Sequence, residues 1–176
     1  MIPRMPLLPS ESASAFHDLR QAILSELAPS TAYQTAIAEN LVALEWEIHR
    51  HRAVRIGLLR KCYRDAAESL WESERSGIFA ELGKKSPEAK EFAAGLLDPR
   101  SEHAASSQAW LSDHNIDPAE MIAAAYREAQ DALEPHERKL AELEKRRRHL
   151  KEDYEKLKAV RVRTIEEAKL LDDHDD

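Results

Sequence analysis

Apolar residues recur along the chain with the spacing of helices, and the prolines and glycines fall where that spacing breaks. From Ser12 to Ala28 the residues Phe16, Leu19, Ile23 and Leu27 share one face. Pro29 ends this short helix because it lacks an N–H and restricts the residue before it. Ser30 and Thr31 are caps for a second pattern that runs without proline to about Ser76, roughly 45 residues or about 70 Å of helix. Residues 77–117, punctuated by Gly77, Gly83, Gly95 and Pro99, predict two short helices, Pro87–Leu97 after a Ser86 cap and Ala104–Leu111. The last helix opens with Asp117 as cap, Pro118 in its first position and Glu120 placed to reach back.

From Tyr126 onward the positions 126, 129, 133, 136, 140, 143, 147, 150, 154, 157, 161, 164, 168 and 171 keep a three–four spacing. Ten of these fourteen are Tyr, Ala or Leu, the seam of a left-handed coiled coil; His136, Arg147, Arg161 and Thr164 interrupt it. Pro135 predicts a kink within a continuous helix. A seam this narrow needs a partner, and the long helix before the turnaround is the nearest one. The expected fold is therefore all-α, an elongated antiparallel coiled-coil hairpin with short capping helices. Its parts are an extended segment 1–9, the two helices of 10–76, a turnaround 77–117, the long helix 118–171 and an acidic tail 172–176.

Composition narrows the chemistry. The 176 residues, 43% apolar and 34% charged with only 4 glycines, suffice for one modest helical domain and supply no glycine-rich phosphate loop. Cys62 is the lone cysteine, so no intrachain disulfide forms and a reducing compartment is expected. Neither a signal h-region nor an apolar run of about 18 residues is present, which predicts a cytoplasmic protein without membrane attachment. His49 and His51 project about 200° apart on a helix and cannot share a metal, and no Glu-x-x-His pair occurs. Cys62 falls on an apolar stripe, where a thiol is packing rather than nucleophile. The reading is of a non-enzyme without cofactor or metal.

Charge is segregated. The net charge is −7, but residues 49–64 carry +6 and residues 145–163 another +6, between acidic stretches. An antiparallel hairpin turning between Ser76 and Pro118 sets residue i opposite residue 194 − i. The first basic block then faces Asp131, Glu134, Glu137, Glu142 and Glu144, and the second faces Glu39, Glu45 and Glu47. On the apolar stripe of the second helix (Ile37, Leu41, Leu44, Ile48, Leu59, Cys62, Ala66, Leu70) lie three charges, Glu45, Arg52 and Arg55. A buried ion must be paired, so these predict a seam network of Glu45 with Arg52, and of Arg52 or Arg55 with Glu142. Two functions fit. One is a scaffold or adaptor that binds a protein partner, or itself, through helical surfaces. The other is a nucleic-acid-binding accessory protein with Arg50, Arg60, Lys61, Arg64, Arg146 and Arg148 as candidate phosphate contacts.

Leu8-Pro9-Ser10-Glu11, a short helix ended by Pro29, and a long helix carrying Trp46 and then Arg50 and Arg55 resemble the opening of a group of uncharacterised bacterial helical proteins. The arginine-rich stretch 137–150 is similar to a helix near their end. The resemblance covers about a third of the chain and leaves out 77–117. It implies a bacterial protein associated with mobile elements and, since that group has no established activity, transfers no functional residue.

Overall fold

The computed structural model describes residues 6–75 and 85–172, with Arg75 and 162–172 as backbone alone. Five helices follow in order: α1 (Ala13–Leu27), α2 (Ala32–Arg75), α3 (Pro87–Leu97), α4 (Ala104–Asp113) and α5 (Pro118–Asp172). The fold is all-α, and no strand occurs among the described residues. The extended segment retains Pro6–Pro9 in the description; residues 1–5, 76–84 and 173–176, which include Gly77, Gly83 and the tail aspartates beyond Asp172, lie outside it.

Four of the five helices, all but α4, begin where a short polar side chain accepts an otherwise orphaned N–H. Ser12 Oγ takes the Ala15 N–H at 3.2 Å, Thr31 Oγ1 the Gln34 N–H at 3.1 Å, Ser86 Oγ the Ala89 N–H at 3.2 Å and Asp117 Oδ1 the Ala119 N–H at 2.8 Å. The buried Gln34 returns the favour, its Oε1 accepting from the Ser30 N–H and hydroxyl, both at 2.9 Å. Helix α4 runs two residues past the expected Leu111. It stops where Asn115 takes a left-handed conformation (φ 53°) and the Ile116 N–H closes onto the Leu111 carbonyl at 2.9 Å. Helix α5 continues through Pro135.

The chain divides into two compact units, one formed by the chain up to His51 together with that from Arg138 onward, the other by Arg52–Glu137. Both long helices contribute to both, so the units cut across the expected sequence segments instead of following them. The border on α5 falls two residues beyond Pro135, whose missing N–H leaves a gap in the helix ladder.

In the first unit α1 and α2 pack on the last part of α5. Leu27, Ile37, Ala38, Leu41 and Tyr154 form one buried cluster, flanked by Ile23, Leu24, Leu150 and Leu157; Leu44, Ile48 and Leu143 form the next. Rising numbers on α2 meet falling numbers on α5, the antiparallel sense of a hairpin. Glu45 pairs with Arg147 at 3.1 Å, and these two numbers sum to 192 against the expected 194. Tyr154 is fully buried, and its hydroxyl donates to the Leu27 carbonyl at 2.8 Å. That carbonyl belongs to the last turn of α1, just before Ala28 turns left-handed (φ 47°), so one side chain of α5 satisfies the end of α1.

In the second unit α3 and α4 cover the other stretch of α2. Ala67, Phe92, Ala93, Leu111 and Met121 are buried together, with Trp71, Trp110 and Ile116 packed against them. Here too the hairpin is antiparallel: Arg55 meets Glu137 at 3.5 Å, again a sum of 192. The buried face of α5 differs from the expected seam at its start. Met121, Ala125, Ala129 and Leu133 are buried at steps of four while Tyr126 is 41% exposed, because this part of α5 covers the α3–α4 cluster as well as α2. Beyond Leu133 the inward positions 136, 140, 143, 147, 150, 154 and 157 keep the three–four spacing; Arg161 is exposed, and the side chains of Thr164, Ala168 and Leu171 lie outside the description.

Helices α3 and α4 meet at Gly95. A Cβ there would lie 2.6 Å from the His103 carbonyl oxygen and closer still to Ser107 Oγ, which is buried and donates to the Phe92 carbonyl at 3.0 Å. On an open helix, Gly→Ala gains about 0.5–1 kcal/mol. At Gly95 the steric term wins, and Gly95→Ala is expected to destabilise by about 1–3 kcal/mol in chemical denaturation. A variant as stable as the parent would mean that α3 and α4 are not held at this distance.

Candidate functional site

The expected phosphate contacts separate once their partners are known. Arg50 is tied down. Its Nη2 donates to Glu11 Oε2 and to the Pro6 carbonyl, both at 2.7 Å, and its Nε to Glu11 Oε1. Glu11 in turn accepts the Leu8 N–H at 2.8 Å, so the segment before α1 is fastened to α2. The Arg50 guanidinium, aided by the Leu8 N–H and the nearby Trp46 indole, overcomes a smaller opposing effect of burial and lowers the Glu11 carboxyl from 4.5 to about 2. The Trp46 N–H itself is buried without a hydrogen-bond partner; its ring lies edge-on to Phe16 at 5.2 Å and stacks on His49 at 5.3 Å. Arg50 is a structural residue and leaves the set of phosphate contacts.

The seam network also differs from expectation. Glu45 pairs with Arg147 across the hairpin, and Arg52 is exposed. Arg55 meets Glu137, with Nη2 3.4 Å from the Tyr126 hydroxyl, and Glu142 is held by Lys139 one turn away at 3.5 Å. The register accounts for this: residues summing to about 192 face one another, so Arg147 and Glu137 are the partners within reach. Arg147 interrupts the predicted seam, and reading it as the missing partner of Glu45 would have found this pair. Of the acids expected opposite the second basic block, Glu39 is taken by Arg20 of α1.

What remains is an outward face of α2 in the second unit. Arg60, Lys61 and Arg64 are exposed within an arc of about 100°, and they make no ion pair among the described residues. Ile56, 58% exposed, and Gly57 continue the same face, one turn before Arg60 and Lys61. Gly57 has nothing within 4 Å of where a Cβ would stand. Val54, also exposed, lies one turn before Gly57 and adjoins the same face on the side of Lys61. In the first unit Arg146 and Arg148 are exposed on either side of the inward Arg147. Sequence reasoning found the cations and missed Ile56 and Gly57, whose signal was an apolar residue and a helix-weakening glycine lying off the buried stripe.

Cys62 is half-buried, and burial, then the carboxylates of Glu128 and Asp65, push its thiol up and away from the reactive thiolate. Among the described residues no three His, Cys, Asp or Glu side chains converge on a point where a metal could sit. No helix among them is long and apolar enough to cross a membrane.

The Glu11–Arg50 contact has a pH signature. A carboxyl lowered by folding contributes stability that is present above about 4.5 and is lost as the pH falls toward about 2. Glu11→Gln should melt earlier than the parent at pH 7, and that difference should shrink steadily as thermal melts are taken from pH 5 down to pH 2. A constant difference over that range would show that Glu11 is not ionised against Arg50.

Set beside protein-family models, curated proteins and solved structures, the chain has no match.

Proposed function

We propose that this is a non-enzymatic bacterial adaptor of the cytoplasm that works by binding another protein on the outer face of α2. The observation that carries the reading is Gly57. A glycine inside a helix costs about 1 kcal/mol relative to alanine, and here no atom of the described residues occupies the space that its missing side chain leaves. Next to it, Ile56 offers apolar area, and Arg60, Lys61 and Arg64 frame it with positive charge that no described acid neutralises. A partner helix with an acidic rim fits this face: a close backbone approach at the glycine, an apolar centre and a polar rim are how protein interfaces are built.

The three cations equally favour the second reading, a nucleic-acid accessory protein, in which they contact phosphates irrespective of sequence. Ile56 and Gly57 have no part in that reading, and a net charge of −7 repels polyanions.

Titration with duplex DNA and with RNA at about 0.15 M salt separates the two. The parent protein is expected to bind neither. Binding that falls with salt at a slope near −0.9 per phosphate, about −2.7 for three contacts, and is lost when Arg60, Lys61 and Arg64 become Glu, would overturn the adaptor reading. Gly57→Ala supplies the complementary measurement: it should stabilise the isolated protein by about 0.5–1 kcal/mol. A photo-crosslinker at Ile56 should capture one protein in cells, and capture should be lost in both Gly57→Ala and the triple Glu variant. Capture that ignores both changes would sink the reading.

A further inference from the structure

The second unit holds a cleft of about 340 Å³. Its wall is aromatic: Trp71 of α2, Phe92 of α3 and Trp110 of α4 have ring centroids 4.8–5.1 Å apart. His114 stacks on Trp110 at 3.9 Å, and its Nδ1 lies 2.8 Å from the Trp110 carbonyl oxygen, which holds the imidazole against the indole. The rim is acidic. Glu88 and Glu91 stand at i and i+3, on one side of α3; both line the cleft, both are exposed, and neither has an ion-pair partner among the described residues. Among the described residues no lysine or arginine lines the cleft, and the basic side chain there is His103.

The volume suits one long side chain or a small molecule, not a folded segment. Aromatic faces attract cations through the ring quadrupole, and two carboxylates at the rim select positive charge over neutral polar groups. Among protein cations the guanidinium matches best. It is planar, so it stacks on an indole, it carries forked N–H donors for carboxylates, and it is more weakly hydrated than an ammonium group. We propose that the Trp71–Phe92–Trp110 cleft is a binding site for an arginine side chain presented by a partner protein, with Trp110 and Trp71 stacking on the guanidinium and Glu88 and Glu91 accepting its hydrogen bonds. Trp71 lies on the same side of α2 as the adaptor face, two turns beyond Arg64, but none of Ile56, Gly57, Arg60, Lys61 and Arg64 lines the cleft, so the two sites use different residues.

The three tryptophans make the test site-resolved, because Trp71 and Trp110 line the cleft while Trp46 belongs to the other unit. In a ¹⁵N-labelled sample the three indole N–H signals are followed while N-acetyl-arginine methylamide is added, with the citrulline and lysine equivalents as neutral and ammonium controls. The arginine probe is expected to shift Trp71 and Trp110 saturably, with a Kd of about millimolar, and to leave Trp46 still. The citrulline and lysine probes should bind at least about tenfold more weakly. The double variant Glu88→Gln/Glu91→Gln changes two exposed side chains and should keep the parent circular dichroism while losing about tenfold in affinity for the arginine probe. Equal binding of citrulline, equal binding of lysine, unchanged affinity in the folded double variant, or shifts that include Trp46 would each overturn the assignment, as would the absence of saturation at tens of millimolar.

Discussion

Neither long helix can bury its apolar stripe alone, and that constraint organises everything else. Helix α2 carries Ile37, Leu41, Leu44 and Ile48 on a face only a few residues wide, and α5 carries Leu143, Leu150, Tyr154 and Leu157 on another. Two narrow stripes on helices joined by a turnaround are hidden by antiparallel packing, and the numbers of facing residues then sum to a constant. The two charge pairs across α2 and α5 both give 192. Within each unit the register of α2 against α5 is thereby fixed. A slip of one residue would swing Tyr154 away from the α1 carbonyl it satisfies and part Glu45 from Arg147 at the same time.

The two glycines placed in α2 and α3 show why one residue type carries opposite meanings. Gly95 is demanded from inside, because α4 passes so close that a methyl group has no room. Gly57 is demanded by nothing among the described residues, and its open surroundings turn a local defect into an argument about a partner. The same contrast runs through the arginines. Arg50, Arg55 and Arg147 each have a carboxylate and belong to the architecture, whereas Arg60, Lys61 and Arg64 face outward beside Ile56.

Much of the fold was legible in the sequence because its signals are local. Caps at Thr31, Ser86 and Asp117, the stop at Pro29 and the three–four spacing after Leu133 act within a few residues of where they are read, so the helix boundaries fall within two residues of expectation. The hairpin register was legible because helical rise is uniform. Pairing was not, since Glu45 could reach Arg52 along α2 or Arg147 across it, and only the rotation of the two helices decides. The exposure of Tyr126 was hidden for a related reason: α5 there packs on α3 and α4, and a heptad pattern describes packing on one helix alone. The cleft was illegible because Trp71, Phe92 and Trp110 come from three helices and converge only after folding.

The segment before α1 shows how a charge pair can do structural work at a boundary. Proline-rich and without helix of its own, this stretch has few apolar contacts to hold it, yet Glu11 links the Leu8 N–H to the Arg50 guanidinium, and Arg50 also takes the Pro6 carbonyl. One arginine thus closes hydrogen bonds to three points of the same strap: two carboxylate oxygens and a backbone carbonyl. Exposed ion pairs in general contribute little, because water competes and two flexible side chains must be ordered. Here both side chains are largely shielded, at 22% and 12% exposure, and the fork of the guanidinium matches the carboxylate, the arrangement in which pairing is strongest. The first basic block is thereby split by chemistry that its composition concealed: its N-terminal arginine holds the protein's own chain, and its C-terminal cations are left to the surface.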